Sequence, residues 1–173
     1  ESLSTADAVI HLAGAPVAQR WTPIAKRRIL ESRVEGTKRL VGALAALSRR
    51  PHALVTASAV GYYGSRGDEV LSEASSPGRG FLSEVCIQWE NSAKEAEPLG
   101  VRVVRLRIGV VLGKEGGGRL PLAVVGDLVQ PLLNQGLLAQ DGVGNCCRQQ
   151  QYRHEYADYD EGNHVSTPVL SGD

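Results

Sequence analysis

The sequence predicts an α/β chain built on a parallel sheet with flanking helices, and three observations carry that prediction. The stretch Leu54-Val55-Thr56-Ala57-Ser58-Ala59-Val60-Gly61-Tyr62-Tyr63-Gly64 starts as an apolar run and breaks into small residues, which reads as a buried strand emptying into a loop. Two further apolar runs, 8–12 and 101–108, are separated from it by segments of helical periodicity. The order strand, helix, strand, helix, strand implies right-handed crossovers and parallel neighbours. In open sheets of this kind, ligands sit just outside the carboxyl ends of the strands. Ser58, Tyr62 and Tyr63 fall there and offer exchangeable protons.

Taken in order, Ala8-Val9-Ile10-His11-Leu12 is a short strand ended by Ala13-Gly14-Ala15-Pro16. Pro16 cannot continue a ladder, and Gly14 lets backbone come close to whatever lies beyond the strand. His11 sits inside the run and reads as a core-packed or strand-edge histidine. Thr22 is an N-cap with Pro23 at the first helical position. Ile29, Leu30, Val34, Leu40, Val41, Leu44 and Leu47 then recur at helical spacing down to about Ser48. Gly36 interrupts that helix at a cost of about 1 kcal/mol against Ala, which predicts a close helix–sheet or helix–helix approach. After the Ser58 strand, residues 65–80 are rich in Gly, Ser, Glu and Pro and read as a surface loop near the site. Leu82, Val85, Cys86, Trp89, Ala93 and Ala96 restore helical spacing until Pro98 and Gly100 stop it. The strand at 101–108 leads into Gly109-Val110-Val111-Leu112-Gly113, with Gly116-Gly117-Gly118 as a flexible turn.

Composition excludes several classes. The chain has 173 residues, 42% of them hydrophobic and 22% charged, as in an ordinary globular protein with one domain. Nineteen Lys+Arg balance nineteen Asp+Glu, so no net field points to nucleic acid. No apolar run approaches the length of a membrane span, and no secretory leader is visible. Three cysteines, two of them the adjacent Cys146 and Cys147, give no disulfide framework and fit a reducing, cytoplasmic compartment.

Several segments together resemble the extended short-chain dehydrogenase/reductase superfamily. They are His11-Leu12-Ala13-Gly14-Ala15-Pro16, Arg20-Trp21, Ser32-Arg33-Val34, Ala57 to Gly64, Trp89-Glu90 and Arg107 to Gly113. Within that superfamily the chain resembles the atypical epimerase family related to NAD-dependent sugar-nucleotide epimerases, over about residues 3–119. The resemblance implies a Rossmann-like sheet with NAD or NADP as cofactor. It places Ser58 in catalysis, where the strand-end position adds Tyr62 and Tyr63 as candidates, and Ala13, Gly14, Ala15, Ser58, Val110 and Val111 against the dinucleotide.

Four departures from the family pattern bear on that expectation. The Tyr-x-x-x-Lys pair of active members aligns with Leu82 and Cys86, neither of which can transfer the proton, so Tyr62 or Tyr63 has to stand in. Arg33 takes the place of an Asn, which predicts the loss of one side chain that holds the active-site end of its helix. No Gly-x-x-Gly-x-x-Gly precedes Ala8, so the first strands and half of the cofactor site are expected to be missing and the chain to be a fragment. Beyond about Leu122 the pattern is lost, and residues 123–173 are expected to form a divergent, poorly ordered tail around a short helix broken by Pro131. The His/Asp/Glu-rich run from His154 to His164 shows no metal-ligand spacing, and no metal is expected.

The expected function is therefore that of an NAD(P)-binding oxidoreductase or epimerase acting on a nucleotide sugar or similar hydroxylated small molecule. The alternative is a cofactor- or protein-binding module that has lost its catalytic pair. A small-molecule substrate and a second copy of the chain, as a homodimer, are the expected partners.

Overall fold

The computed structural model describes residues 3–109. Three strands, β1 (Ala8–His11), β2 (Ala53–Ala59) and β3 (Arg102–Ile108), form one sheet in the order β1-β2-β3. Both pairings are parallel, Ala8 facing Ala53 and Ala53 facing Arg102 in register. Each strand is linked to the next through one long helix, α1 (Pro23–Ala45) or α2 (Phe81–Lys94), as the alternation of elements predicts. Val110, Val111, the glycine run at 116–118, the boundary near Leu122 and the tail at 123–173 lie outside the described residues.

Helix α1 starts where the sequence says it should. Thr22 is extended, with φ −68° and ψ 162°, and its hydroxyl accepts from the Ala25 amide at 3.2 Å, with Pro23 at the head of the helix. It ends at Ala45 rather than Ser48, where the Leu47 amide turns back to the Leu44 carbonyl at 3.2 Å and tightens the last turn. Helix α2 begins after Gly80, whose φ of 96° turns the chain in from the loop. A short 3-10 turn at Glu97–Leu99 and Gly100 at φ 80° close the passage into β3.

The two helices pack on one face of the sheet. Leu54 and Val103, paired in register, meet Val41 and Leu44 of α1 and Ala93 of α2 in the main apolar cluster. Leu44, Leu54 and Ala93 are fully buried, and each large side chain so placed contributes about 1.5–3 kcal/mol. Val55, Val104 and Leu106 point to the opposite face, as strand alternation requires, and cluster with Leu12 and Ile108.

Gly36 corrects one expectation. A Cβ built on it meets nothing within 4 Å, so no close approach demands glycine there. The demanding glycines are elsewhere. A Cβ on Gly78 would lie 2.1 Å from the Tyr63 carbonyl oxygen, where the loop crosses the turn after β2.

Candidate active site

Along β2 and β3 the helix-facing side changes character toward the carboxyl ends. Leu54 and Val103 are apolar, Thr56 and Arg105 are polar, and Ser58 stands beside Arg107 in register. The chain then bends through a 3-10 turn at Val60–Tyr63, and Gly64 leaves it at φ 64°. The Tyr62 carbonyl anchors that turn by accepting from the Gly78 amide at 2.9 Å and the Ser83 hydroxyl at 2.8 Å.

Glu90 comes down from α2 onto this polar end, one helical turn beyond Cys86 and 4% exposed. Ser58 Oγ donates to its Oε1 at 2.7 Å. Arg107 clamps the same carboxylate from below, with Nε on Oε1 at 2.8 Å and Nη2 on Oε2 at 2.9 Å. Arg107 Nη1 reaches further, donating to the Tyr63 hydroxyl at 2.9 Å and to the Glu73 carbonyl at 3.1 Å. The same guanidinium lies 3.5 Å from the centroid of the Tyr62 ring, and the two tyrosine rings meet edge to face at 5.3 Å. One arginine thus ties β3, α2, the turn and the loop together.

The charges in this cluster hold each other ionised. Burial pushes the Glu90 carboxyl up, but donation from Arg107 and Ser58 and the charges of Arg107 and Arg105 outweigh it, leaving it below the usual carboxylate range. Burial likewise works against the Arg107 charge, yet its bonds to Glu90 and Tyr63 raise it above the ordinary guanidinium value. Cys86 behaves differently. Desolvation raises its thiol, so this buried side chain stays protonated beside Ser58.

The turn after β1 forms the neighbouring wall. The Ala15 amide donates to Ser32 Oγ at 2.9 Å, and the Ala15 carbonyl accepts from Arg33 Nη1 at 3.0 Å. Arg33 also lies 5.1 Å from the Trp89 ring centroid. The expected loss of a tether at this position is therefore corrected, because Arg33 ties the middle of α1 to the strand turn. A Cβ on Gly14 would sit 2.9 Å from the Cζ of Arg33, whose guanidinium fills the space beside this turn. Ala13 and Gly14 are exposed at this turn. His11 ends β1, half-buried, with no hydrogen-bond partner for Nε2 among the described residues and its pKa lowered by burial.

The structure brings Ser58, Tyr62 and Tyr63 together through Arg107, and sets Ala13, Gly14 and Ala15 at the end of the adjacent strand. The arrangement supplies a carboxylate that only accepts, a guanidinium that only donates, and a phenol held between them and whatever lies beyond. Sequence reasoning missed the roles of Glu90 and Arg107. The signals were a carboxylate in the apolar stripe of α2 and the Arg-x-Arg alternation in β3. Among the described residues no group of acidic, His or Cys side chains could hold a metal ion, and no helix is long and apolar enough to cross a membrane.

No protein-family model matches the chain. It is similar to epimerase family protein SDR39U1 homolog, chloroplastic, of Arabidopsis thaliana, with 46% identity over 112 residues that cover 64% of this chain and 32% of that protein. Among solved structures, the nucleoside-diphosphate sugar epimerase of Corynebacterium glutamicum is 40% identical with a TM-score of 0.56, covering 72% of this chain and 26% of that one. The human epimerase family protein SDR39U1 (isoform 2), crystallised with NADPH, is 29% identical with a TM-score of 0.59, covering 75% and 43%. The chain spans between about a third and under a half of the length of the curated relatives it matches. These likenesses make the parallel sheet with its two helices part of a Rossmann-like fold.

Proposed function

We propose, from the chain's membership of the epimerase family of the short-chain dehydrogenase/reductase superfamily, that it carries part of the site of an NAD(P)-dependent epimerase or related oxidoreductase. The substrate class is a nucleotide sugar or a similar hydroxylated small molecule. The observation that carries this reading is the Ser58–Glu90–Arg107–Tyr63 network, set at the carboxyl ends of adjacent parallel strands beside the exposed Gly14 turn.

When bound, a nicotinamide supplies hydride exchange with a carbon that bears a hydroxyl. Ala13, Gly14 and Ala15 would face the dinucleotide, joined by Val110 and Val111. Tyr62 or Tyr63 would handle the substrate proton, and Ser58 would orient the oxygen. A homodimer and a cytoplasmic location belong to the same reading.

A second reading, a binding module without chemistry, is favoured by one specific observation. Leu82 and Cys86 occupy the helix positions of the usual Tyr/Lys pair, and a Cβ on Gly61 would lie 3.3 Å from Leu82 Cβ and 4.0 Å from Cys86 Sγ. Both are packing residues of the helix–turn contact.

Titration of NADPH and of NADH with the chain, followed by nicotinamide fluorescence, tests the cofactor assignment. Weak binding that weakens further in Gly14→Leu is expected, because the chain carries only part of the dinucleotide site. Failure of both cofactors to bind would overturn the proposal.

A further inference from the structure

We propose that Tyr63, rather than Tyr62, is the group that donates a proton to a substrate oxygen, and that the Glu90–Arg107 pair is the positioning device that directs it. The inference rests on the reading of this site as one for a hydroxylated or carbonyl-bearing small molecule. It adds which phenol acts and what sets the direction of its hydrogen bond.

The direction follows from groups that have no choice. A carboxylate can only accept and a guanidinium can only donate. Glu90 takes the Ser58 hydrogen and two Arg107 N–H groups, so Ser58 and Arg107 are both committed. Arg107 Nη1 donates to the Tyr63 oxygen, which therefore acts as an acceptor inside the protein. The phenol keeps its own hydrogen for another partner, and among the described residues no side chain or carbonyl takes it. Tyr63 as a whole is 8% exposed, so its ring is packed among neighbours. A buried O–H without an acceptor is costly in a folded protein, and a ligand oxygen removes that cost.

Tyr62 is used in another way. Its ring face carries the Arg107 guanidinium at 3.5 Å, and its edge-to-face contact at 5.3 Å holds the Tyr63 ring. Arg107 is further fixed by the Glu73 carbonyl at 3.1 Å, so the residue that aims Tyr63 cannot swing away alone. The ligand chemistry that fits is an acceptor oxygen, either the carbonyl of a keto sugar or a sugar hydroxyl.

The phenol C–O stretching band separates tyrosines that only accept, only donate, or do both, and infrared spectra of the chain carrying ring-labelled tyrosine read it directly. The difference between native chain and Tyr63→Phe isolates the Tyr63 band, and Tyr62→Phe provides the control. In the ligand-free chain this band should show an accepting phenol. In Arg107→Lys, with folding checked by circular dichroism, it should lose that character. On addition of a uridine-diphosphate 4-keto sugar, the Tyr63 band should shift toward donation and the ligand carbonyl stretch should fall, neither change occurring in Tyr63→Phe. A Tyr63 band that already donates within the ligand-free protein overturns the inference. So does a ligand shown by calorimetry to bind while the Tyr63 band stays still, a result that leaves the family-based function standing. Absence of any nucleotide-sugar binding overturns the substrate reading and this inference together.

Discussion

Glu90 is the residue on which the polar end of the sheet depends. Its carboxylate is enclosed with Arg107, whose side chain is 13% exposed, and among the described residues its next charged neighbour is Arg105, 4.0 Å away. Removing one member of a buried pair strands the other, and Glu90→Ala should cost about 3–5 kcal/mol. Ser58→Ala removes one hydrogen bond to that carboxylate and should cost about 1.5–3 kcal/mol. Urea denaturation reads both, and a Glu90→Ala change smaller than that of Ser58→Ala would contradict the hierarchy. Ser58 was legible in the sequence because a strand running into small residues marks its own carboxyl end. Glu90 and Arg107 were not, since only the β2–β3 register and the packing of α2 bring positions 58, 90 and 107 together.

At the scale of elements, the helices were legible from their apolar spacing, and the Thr22-Pro23 start from capping chemistry alone. Glycines were harder to read, because the sequence shows that a side chain is missing and not what would meet it. Gly36 has open space around its missing Cβ inside α1, so Gly36→Ala should stabilise the chain by about 0.5–1 kcal/mol. Gly14→Ala should do the opposite, since its methyl meets the Arg33 guanidinium that holds the β1 turn to α1. Thermal melts should move the two variants in opposite directions. A rise in the melting temperature of Gly14→Ala would show that Arg33 is free to leave, and the tether would lose its importance.

For the molecule as a whole, acid should unfold the chain in two steps. The His11 pKa is lowered by burial from its ordinary 6.5, so the unfolded chain binds that proton first and stability falls as pH drops through that value. The Glu90 pKa also lies below its ordinary 4.5, and the stability its ionised form contributes is lost as pH falls through its depressed folded value. His11→Ala should remove the upper step and leave the lower one in equilibrium unfolding measured across pH. An unchanged upper step in that variant would mean another group titrates there.

Hydride exchange bears most directly on whether the Tyr63 network performs chemistry. The chain is incubated with deuterium-labelled NADPH or NADH and a panel of nucleotide keto sugars, whose carbonyl carbon accepts the deuteride while the oxygen takes a proton, and the label is followed into the sugar by mass spectrometry. A positioned acid/base contributes about 10²–10⁴-fold, so transfer should fall by about that factor in Tyr63→Phe and hold near the native rate in Tyr62→Phe. Equal transfer in the native chain and Tyr63→Phe, or no transfer to any sugar while the cofactor binds, would contradict it and leave the binding module as the function.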